Sequence, residues 1–415
     1  MATKSVATQQ LRVGMYVAKL DVSWFRSPFL RHSFLIHSET QIDQLRRAGI
    51  QRVQIDPSRG EDVAARDEPS ASDSLLATIR ASLSLTSSQG PKPLAQLNEE
   101  LAQAKIASKQ LEQSVRSVFA SLSERGSLDH RQAADAVREI AAVTRTLPHS
   151  AIFMALSSQR AGNSSFSQHA LATCTLSLVM GQSFEYNPLE LQELAMAALL
   201  HDIGLLQIPA AIIQRSANTS SPLSRREQQI LQSHPQLSIL TLERQGGFET
   251  RMLQLIGEHH VRLNGSGYPQ GTRGEFTSER SRILMIADHY DELITGFGGA
   301  SPLTPHQALQ RLYQEAQEGL LDRTILSSLI KLVGIYPVHS RVRLNTQEQA
   351  VVTELNPSTS HQPVVAITHN PGGDEMPTPL VIDLSDQATA SPERAIATVM
   401  DTPEPRRTAH SSRAT

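Results

Sequence analysis

Asn187-Pro188-Leu189-Glu190-Leu191-Gln192-Glu193-Leu194-Ala195-Met196-Ala197-Ala198-Leu199-Leu200-His201-Asp202-Ile203-Gly204 is the stretch on which the fold turns. Asn followed by Pro is a helix start, because the amide side chain accepts first-turn N–H groups and the fixed proline φ suits the first helical position. From Leu189 to Leu200 the run is nearly all apolar, which predicts a helix buried on most sides. It ends on an adjacent imidazole and carboxylate, His201 and Asp202. Burying that pair is costly unless the two are paired or bound to a metal.

Outward from there the helical pattern runs over 128–335, with Ser224 and Glu227 spelling a further capping box. Gly334-Ile335-Tyr336-Pro337 breaks it. Val342, Leu344, Val351, Val352, Val364, Val365 and Ile367 then fall in short strand-like runs, predicting a small β extension over 336–385. Beyond it, Ala, Ser, Thr, Pro and Arg offer little to bury, so 386–415 is expected to be a disordered tail. Upstream, residues 94–127 predict an amphipathic helix with a stripe of Leu97, Leu101, Ile106, Leu111, Val115 and Phe119. Packing on its own domain is the preferred reading of that narrow stripe, and a coiled-coil homodimer seam is the other. Residues 61–93 read as linker. Residues 1–60 alternate around Val13–Val17 and Val53–Ile55 and carry a helix-like run at Thr40–Ala48, a small α+β module.

The 415 residues allow several structural units, and a formal charge of −3 with no long basic stripe argues against nucleic acid as a partner. Cys174 is the single cysteine, which excludes an intrachain disulfide and thiolate zinc motifs and fits a cytoplasmic location. The polar start and the lack of any run of about 18 apolar residues predict neither a signal peptide nor a membrane span.

His169, His201, His234, His259 and His260 crowd into one helical segment together with Asp202 and Asp288. One helical histidine is ordinarily a surface or hydrogen-bonded core residue, but this clustering points to a shared role. Imidazoles and carboxylates suit cations such as iron, manganese or zinc, and a carboxylate can bridge two ions about 3.5–4 Å apart. Asp202 is the bridging candidate. Two ions would polarise a phosphodiester and acidify a water for attack on phosphorus, so the implied reaction is phosphodiester hydrolysis.

These residues, in order, resemble a known family. His169, His201-Asp202-Ile203-Gly204, His234-Pro235, His259-His260 with Gly265-Ser266-Gly267-Tyr268-Pro269, and Ala287-Asp288-His289-Tyr290-Asp291 are similar to the HD-GYP signature over about 150–335. Leu11 to Val17, Trp24, Pro28-Phe29-Leu30 and Gly49 to Pro57 resemble a small domain often found before HD-GYP domains in proteobacteria. The resemblance implies a multidomain α+β chain: an all-α HD-type core, a small N-terminal α+β module and a small C-terminal β unit. It implies hydrolysis of cyclic di-GMP to pGpG or GMP, with His201 and Asp202 central to catalysis. It implies two divalent metal ions, iron or manganese. His169, His201, Asp202 and Asp288 would surround one, and Asp202, His234, His259 and His260 the other. Some members hold a third metal with a glutamate one turn before the first histidine, where this chain has Ser165. Gly265, Gly267, Tyr268 and Pro269 would form a rigid loop beside the substrate or a partner. Gly372-Gly373-Asp374-Glu375 spells most of the signature of the diguanylate cyclases that make cyclic di-GMP, but lies between strand-like runs and reads as a turn.

The chain also departs from the family. Leu205 stands where a phosphate-facing lysine is usual, with Arg215 or Arg262 as candidate replacements. Val261 and Asn264 replace acidic residues after the histidine pair, which predicts weaker support of the ligands. Thr295-Gly296-Phe297-Gly298-Gly299 replaces an Arg-Pro-Tyr stretch whose arginine would grip guanine or phosphate. These changes spare the ligand set while eroding substrate contacts, so two readings follow. One is a working phosphodiesterase. The other is a catalytically weak domain that senses nucleotide or docks on another protein, such as a diguanylate cyclase, through the Gly-Tyr-Pro loop.

Overall fold

The computed structural model describes residues 3–8, 11–20, 33–36, 38–47, 50, 52–60, 92–157, 165–216, 222–271, 274–297, 301–356, 359–387 and 392–400. Residues 61–91 of the expected 61–93 linker, Trp24, Pro28 to Leu30, Ala48, Gly49, Gly298 and Gly299 lie outside them.

The N-terminal module is an antiparallel sheet carrying one helix. Strands β1 (Lys4–Ala7), β2 (Tyr16–Leu20), β3 (Phe34–Leu35) and β4 (Arg52–Ile55) lie in the order β1-β4-β2-β3, with α1 at Glu39–Arg47. Alternation along β4 puts Val53 and Ile55 inside and leaves Arg52 exposed, as expected of a strand with one wet face. Val6, Met15, Val17, Ile36, Ile42 and Leu45 complete a small core.

Helix α2 (Leu94–Arg125) ends at Gly126, whose left-handed φ of 67° lets its N–H close onto the Leu122 carbonyl. Leu111, Val115, Val118 and Phe119 pack into the main helical core, so α2 does pack on its own domain. The stripe departs from the sequence expectation at Leu101, which is half-buried, and most at Ile106. Ala104 is buried and Ile106 is 64% exposed, because two residues at 3.6 per turn rotate Ile106 about 200° away from Ala104.

The core assembles from α3 (His130–Thr146), α4 (Pro148–Ser157), α5 (Phe166–Ser183), α6 (Pro188–Leu200), α7 (Ala210–Ser216), α8 (Arg225–Leu231), α9 (His234–Gln245), α10 (Thr250–Glu258), α11 (Glu279–Thr295), α12 (Pro305–Gln317) and α13 (Arg323–Val333). Asn187 caps α6 in a capping box with Glu190, and Ser224 caps α8 with Glu227, as their sequences predict. From Leu194 to Leu200 every residue of α6 is buried, between α5, α10 and α11. Among the described residues, no single helix is long and apolar enough to cross a membrane.

Gly334, at φ 74°, ends α13 by donating to the Ile330 carbonyl. Strands β5 (Arg341–Leu344), β6 (Gln349–Glu354), β7 (Val364–His369), β8 (Glu375–Asp383) and β9 (Ile396–Val399) follow, in the order β8-β7-β6-β5-β9. The stretch Gly372 to Asp374 is the β7–β8 turn, closed by bonds between Asn370 and Gly373 or Asp374. Strand β9 corrects the expected boundary at 386: Thr398 and Val399 pair with Arg343 and Val342, and Ile396 with Leu344. The free edge of β5 supplies backbone partners that composition cannot reveal.

A buried cluster of five imidazoles and two carboxylates

The seven residues arrive from five helices and converge. His169 lies one turn inside α5, His201 and Asp202 follow the end of α6, His234 opens α9, His259 and His260 close α10, and Asp288 sits mid-way along α11. Five of them stand at or just beyond helix ends, close to backbone carbonyls that lack intrahelical partners. A repeated device results: His201 Nδ1 lies 2.8 Å from the Ala198 oxygen, His234 Nδ1 2.9 Å from Leu231 and His259 Nδ1 2.5 Å from Ile256. Since a carbonyl only accepts, each of these rings carries a proton on Nδ1 and, in its neutral form, presents a bare Nε2. His169 does the same through the Asp291 carboxylate, at 2.7 Å.

The bare nitrogens face one another. Nε2 of His169 and His201 are 3.1 Å apart, those of His234 and His259 3.1 Å, and those of His260 and His234 3.2 Å. Asp202 stands between two groups. Its Oδ2 is 3.6 Å from Nε2 of both His169 and His201, while its Oδ1 is 3.0 Å from His234 Nε2 and 3.6 Å from His259 Nε2. Asp288 Oδ1 joins the first group, 3.1 Å from His169 Nε2 and 3.3 Å from His201 Nε2. Asp202 Oδ1 and Asp288 Oδ2 are buried and accept no hydrogen bond. Buried lone pairs at such distances repel unless a proton or a metal cation lies among them. The donor set therefore fits divalent metal ions. Groups within coordination reach include Asp202-His234-His259-His260 and His169-His201-Asp202.

Burial lowers His169, His201 and His234, but the adjacent Asp288, Asp291 and Asp202 outweigh it and raise all three, so a proton and a metal ion compete for these rings. Burial pushes the Asp202 carboxyl up, but the neighbouring His201, His234 and His259 rings outweigh it and hold the group well below the usual range. Asp288 is depressed likewise, burial being overcome by His169 and His201. Burial lowers His259 and His260, leaving both neutral and able to coordinate.

Two glycines set the approach of the pieces. A Cβ on Gly204 would lie 2.3 Å from the His234 carbonyl oxygen, so glycine lets the turn after Asp202 press onto α9. Ser238 Oγ locks that contact, accepting from Gly204 N–H at 2.9 Å and donating to the His201 carbonyl at 2.6 Å. Gly267 has φ 94°, and a Cβ there would meet the His260 carbonyl oxygen at 2.2 Å. Its position brings the Tyr268 ring to 4.4 Å from the His260 ring, so the Gly265–Pro269 loop does lie beside the cluster.

The departures read differently in three dimensions. Arg215 is paired with Glu227, and Arg262 is held near Glu315 at 3.7 Å, so both candidate replacements for the absent lysine are engaged by carboxylates. The expected weakening of ligand support is not seen, because backbone carbonyls rather than acidic side chains orient three of the rings. Val261 instead is a buried core residue, and Asn264 accepts from Ser266 within the loop. Sequence reasoning missed two contacts of His169. Asp291 was visible only as part of the motif, yet its carboxylate fixes the ring, and Phe297 stacks on that ring at 4.2 Å with an interplanar angle of 13°. The i, i+3 spacing from Asp288 to Asp291 on one helix was the available signal.

Residues 150–325 match the HD domain family, and residues 3–133 match a domain of unknown function, DUF3391. This chain carries an HD domain. A cyclic di-GMP phosphodiesterase of Pseudomonas aeruginosa is 29% identical to this HD-domain chain over 353 residues, 85% of it and 81% of the relative. The cyclic di-GMP phosphodiesterase response regulator RpfG of Xanthomonas campestris pv. campestris is 33% identical over 147 residues, 34% of this chain and 36% of the relative. A 3'3'-cGAMP-specific phosphodiesterase of Vibrio cholerae is 27% identical over 164 residues, 40% of this chain and 37% of the relative. The HD domain supplies the whole cluster, since every member from His169 to Asp288 lies within its matched residues.

Proposed function

We propose that this protein is a metal-dependent phosphodiesterase that opens cyclic di-GMP to pGpG and on to GMP in the bacterial cytoplasm. The observation that carries the reading is Asp202, whose two carboxylate oxygens face two separate sets of bare imidazole nitrogens. His169, His201, Asp202 and Asp288 would hold one divalent ion, and Asp202, His234, His259 and His260 the other, with iron or manganese suited to these donors. When bound, such a pair polarises a phosphodiester and acidifies a water for in-line attack. The protein's own part is to hold the ligands still. Backbone carbonyls and Asp291 keep Nδ1 protonated on four rings, and burial excludes competing water. Cyclic di-GMP is favoured over other cyclic dinucleotides because the relative that aligns over most of both chains is named for it.

The test is hydrolysis of cyclic di-GMP by full-length protein loaded anaerobically with Fe²⁺ or Mn²⁺, with 3'3'-cGAMP as the competing substrate. Linear product from cyclic di-GMP is expected, and Asp202→Asn should abolish it together with metal retention. Absence of product with either metal, or hydrolysis of 3'3'-cGAMP alone, would refute the proposal.

A further inference from the structure

The cluster has an outer rim where one oxygen of Asp288 and one nitrogen of His260 face each other away from Asp202. Asp288 is 1% exposed, and while its Oδ1 faces His169 and His201, its Oδ2 accepts no hydrogen bond. That oxygen points toward His260 Nδ1, 3.9 Å away. His260 is unlike the other four imidazoles, since its Nδ1 meets no carbonyl or carboxylate at hydrogen-bond distance among the described residues. Glu292 stands one helical turn beyond Asp288 on α11, and His289 Nδ1 donates to its Oε2 at 3.4 Å, which orients the carboxylate. Ligand atoms of His260, Asp288 and Glu292 lie within 4.8 Å of one another, a spacing that one cation can span. This corner is the open one. The side chains of His260 and Glu292 are 14% and 29% exposed, against 0% for His169, His201 and His259.

We propose that Asp288 Oδ2, Glu292 and His260 form an accessory site for a divalent cation on the rim, separate from the two ions around Asp202. It rests on the metal reading above, because Asp288 Oδ1 must already be engaged on the inner side. It is not the position that the family resemblance marks. That position is Ser165, whose side chain is engaged as the α5 N-cap. Two carboxylate oxygens and one imidazole in a partly solvated corner suit Mn²⁺ or Mg²⁺, bound more weakly and exchanged faster than an ion sealed in the interior. A neutral His260 has one bare nitrogen to offer at a time, Nε2 toward His234 or Nδ1 toward Asp288. Its use at the rim withdraws His260 from the inner set named above, where Asp202, His234 and His259 still hold the ion. A cation there places positive charge at the exposed mouth of the cluster, offsetting the lysine that Leu205 replaces.

The experiment is a Mn²⁺ titration of the full-length chain after chelator stripping, with bound metal counted by mass spectrometry after equilibrium dialysis. Wild type is expected to bind three ions, the third at least tenfold more weakly, and Glu292→Gln two ions with an unchanged melting temperature. Wild-type saturation at two ions, both lost in Asp202→Asn, would overturn the rim site and leave the inner pair standing. Retention of the third ion by Glu292→Gln would also overturn it. Wild type binding no Mn²⁺ would overturn both readings. The wild-type count decides the matter even if the variant fails to fold.

Discussion

Removing the Asp291 carboxylate tests whether the geometry around the cluster is built to hold metal. The His169 Nδ1–H lies 2.7 Å from Asp291 Oδ2, with both side chains 0% exposed. In Asp291→Ala the N–H loses its acceptor where no water can replace it, a cost of about 1–3 kcal/mol. The ring is then free to turn or to change tautomer, and loss of such an orienting partner ordinarily lowers metal affinity by about 10–100-fold. Asp291→Asn keeps an acceptor but not its charge, and charge-assisted bonds are roughly twice as strong as neutral ones, so its loss should be nearer tenfold. Burial lifts the Asp291 carboxyl to about 6, against the bond from His169. As pH falls through that value the carboxylate is protonated and stops acting as an anionic acceptor, so metal affinity should fall more steeply in wild type than in Asp291→Asn. The assay is Mn²⁺ affinity of the full chain by chelator competition between pH 5 and 8, with turnover recorded in parallel. An alanine variant within about twofold of wild type would show that His169 needs no orientation and would sink the argument.

Leu205→Lys should raise turnover by up to about 10²-fold, the scale on which one charged donor acts on a transition state, and an unchanged rate would show that Leu205 is not the limiting departure. Gly267→Ala should lower the melting temperature by several degrees, roughly 1–3 kcal/mol, because it adds a clash with the His260 carbonyl to the strain of φ 94°. Gly265→Ala, at φ 80° with nothing within 4 Å, should cost less, and equal losses would refute the contact argument. His339 is held at about 4 by burial, below its ordinary 6.5, and its Nε2 lies 2.9 Å from Ser150 Oγ. The unfolded chain therefore takes the proton first, so stability should decline as pH drops from about 6.5 toward 4. His339→Asn should flatten that part of a melting-temperature profile.

Sequence alone determined the local features of this protein. Asn187, Ser224 and Gly334 mark helix ends, the all-apolar run to Leu200 marks a buried helix, and the order of seven ligand-type residues marks the metal chemistry, because caps and periodicity act over three or four residues. Tertiary structure decided what lies between distant segments. It set His169 and His201 against one oxygen of Asp202, His234 and His259 against the other, and Asp291 against His169 across 122 positions. It also engaged Arg215 and Arg262 with carboxylates and recruited residues 396–399 to the free edge of β5. Those outcomes depend on how helices cross and which edges remain open, and one chain read residue by residue carries no term for either.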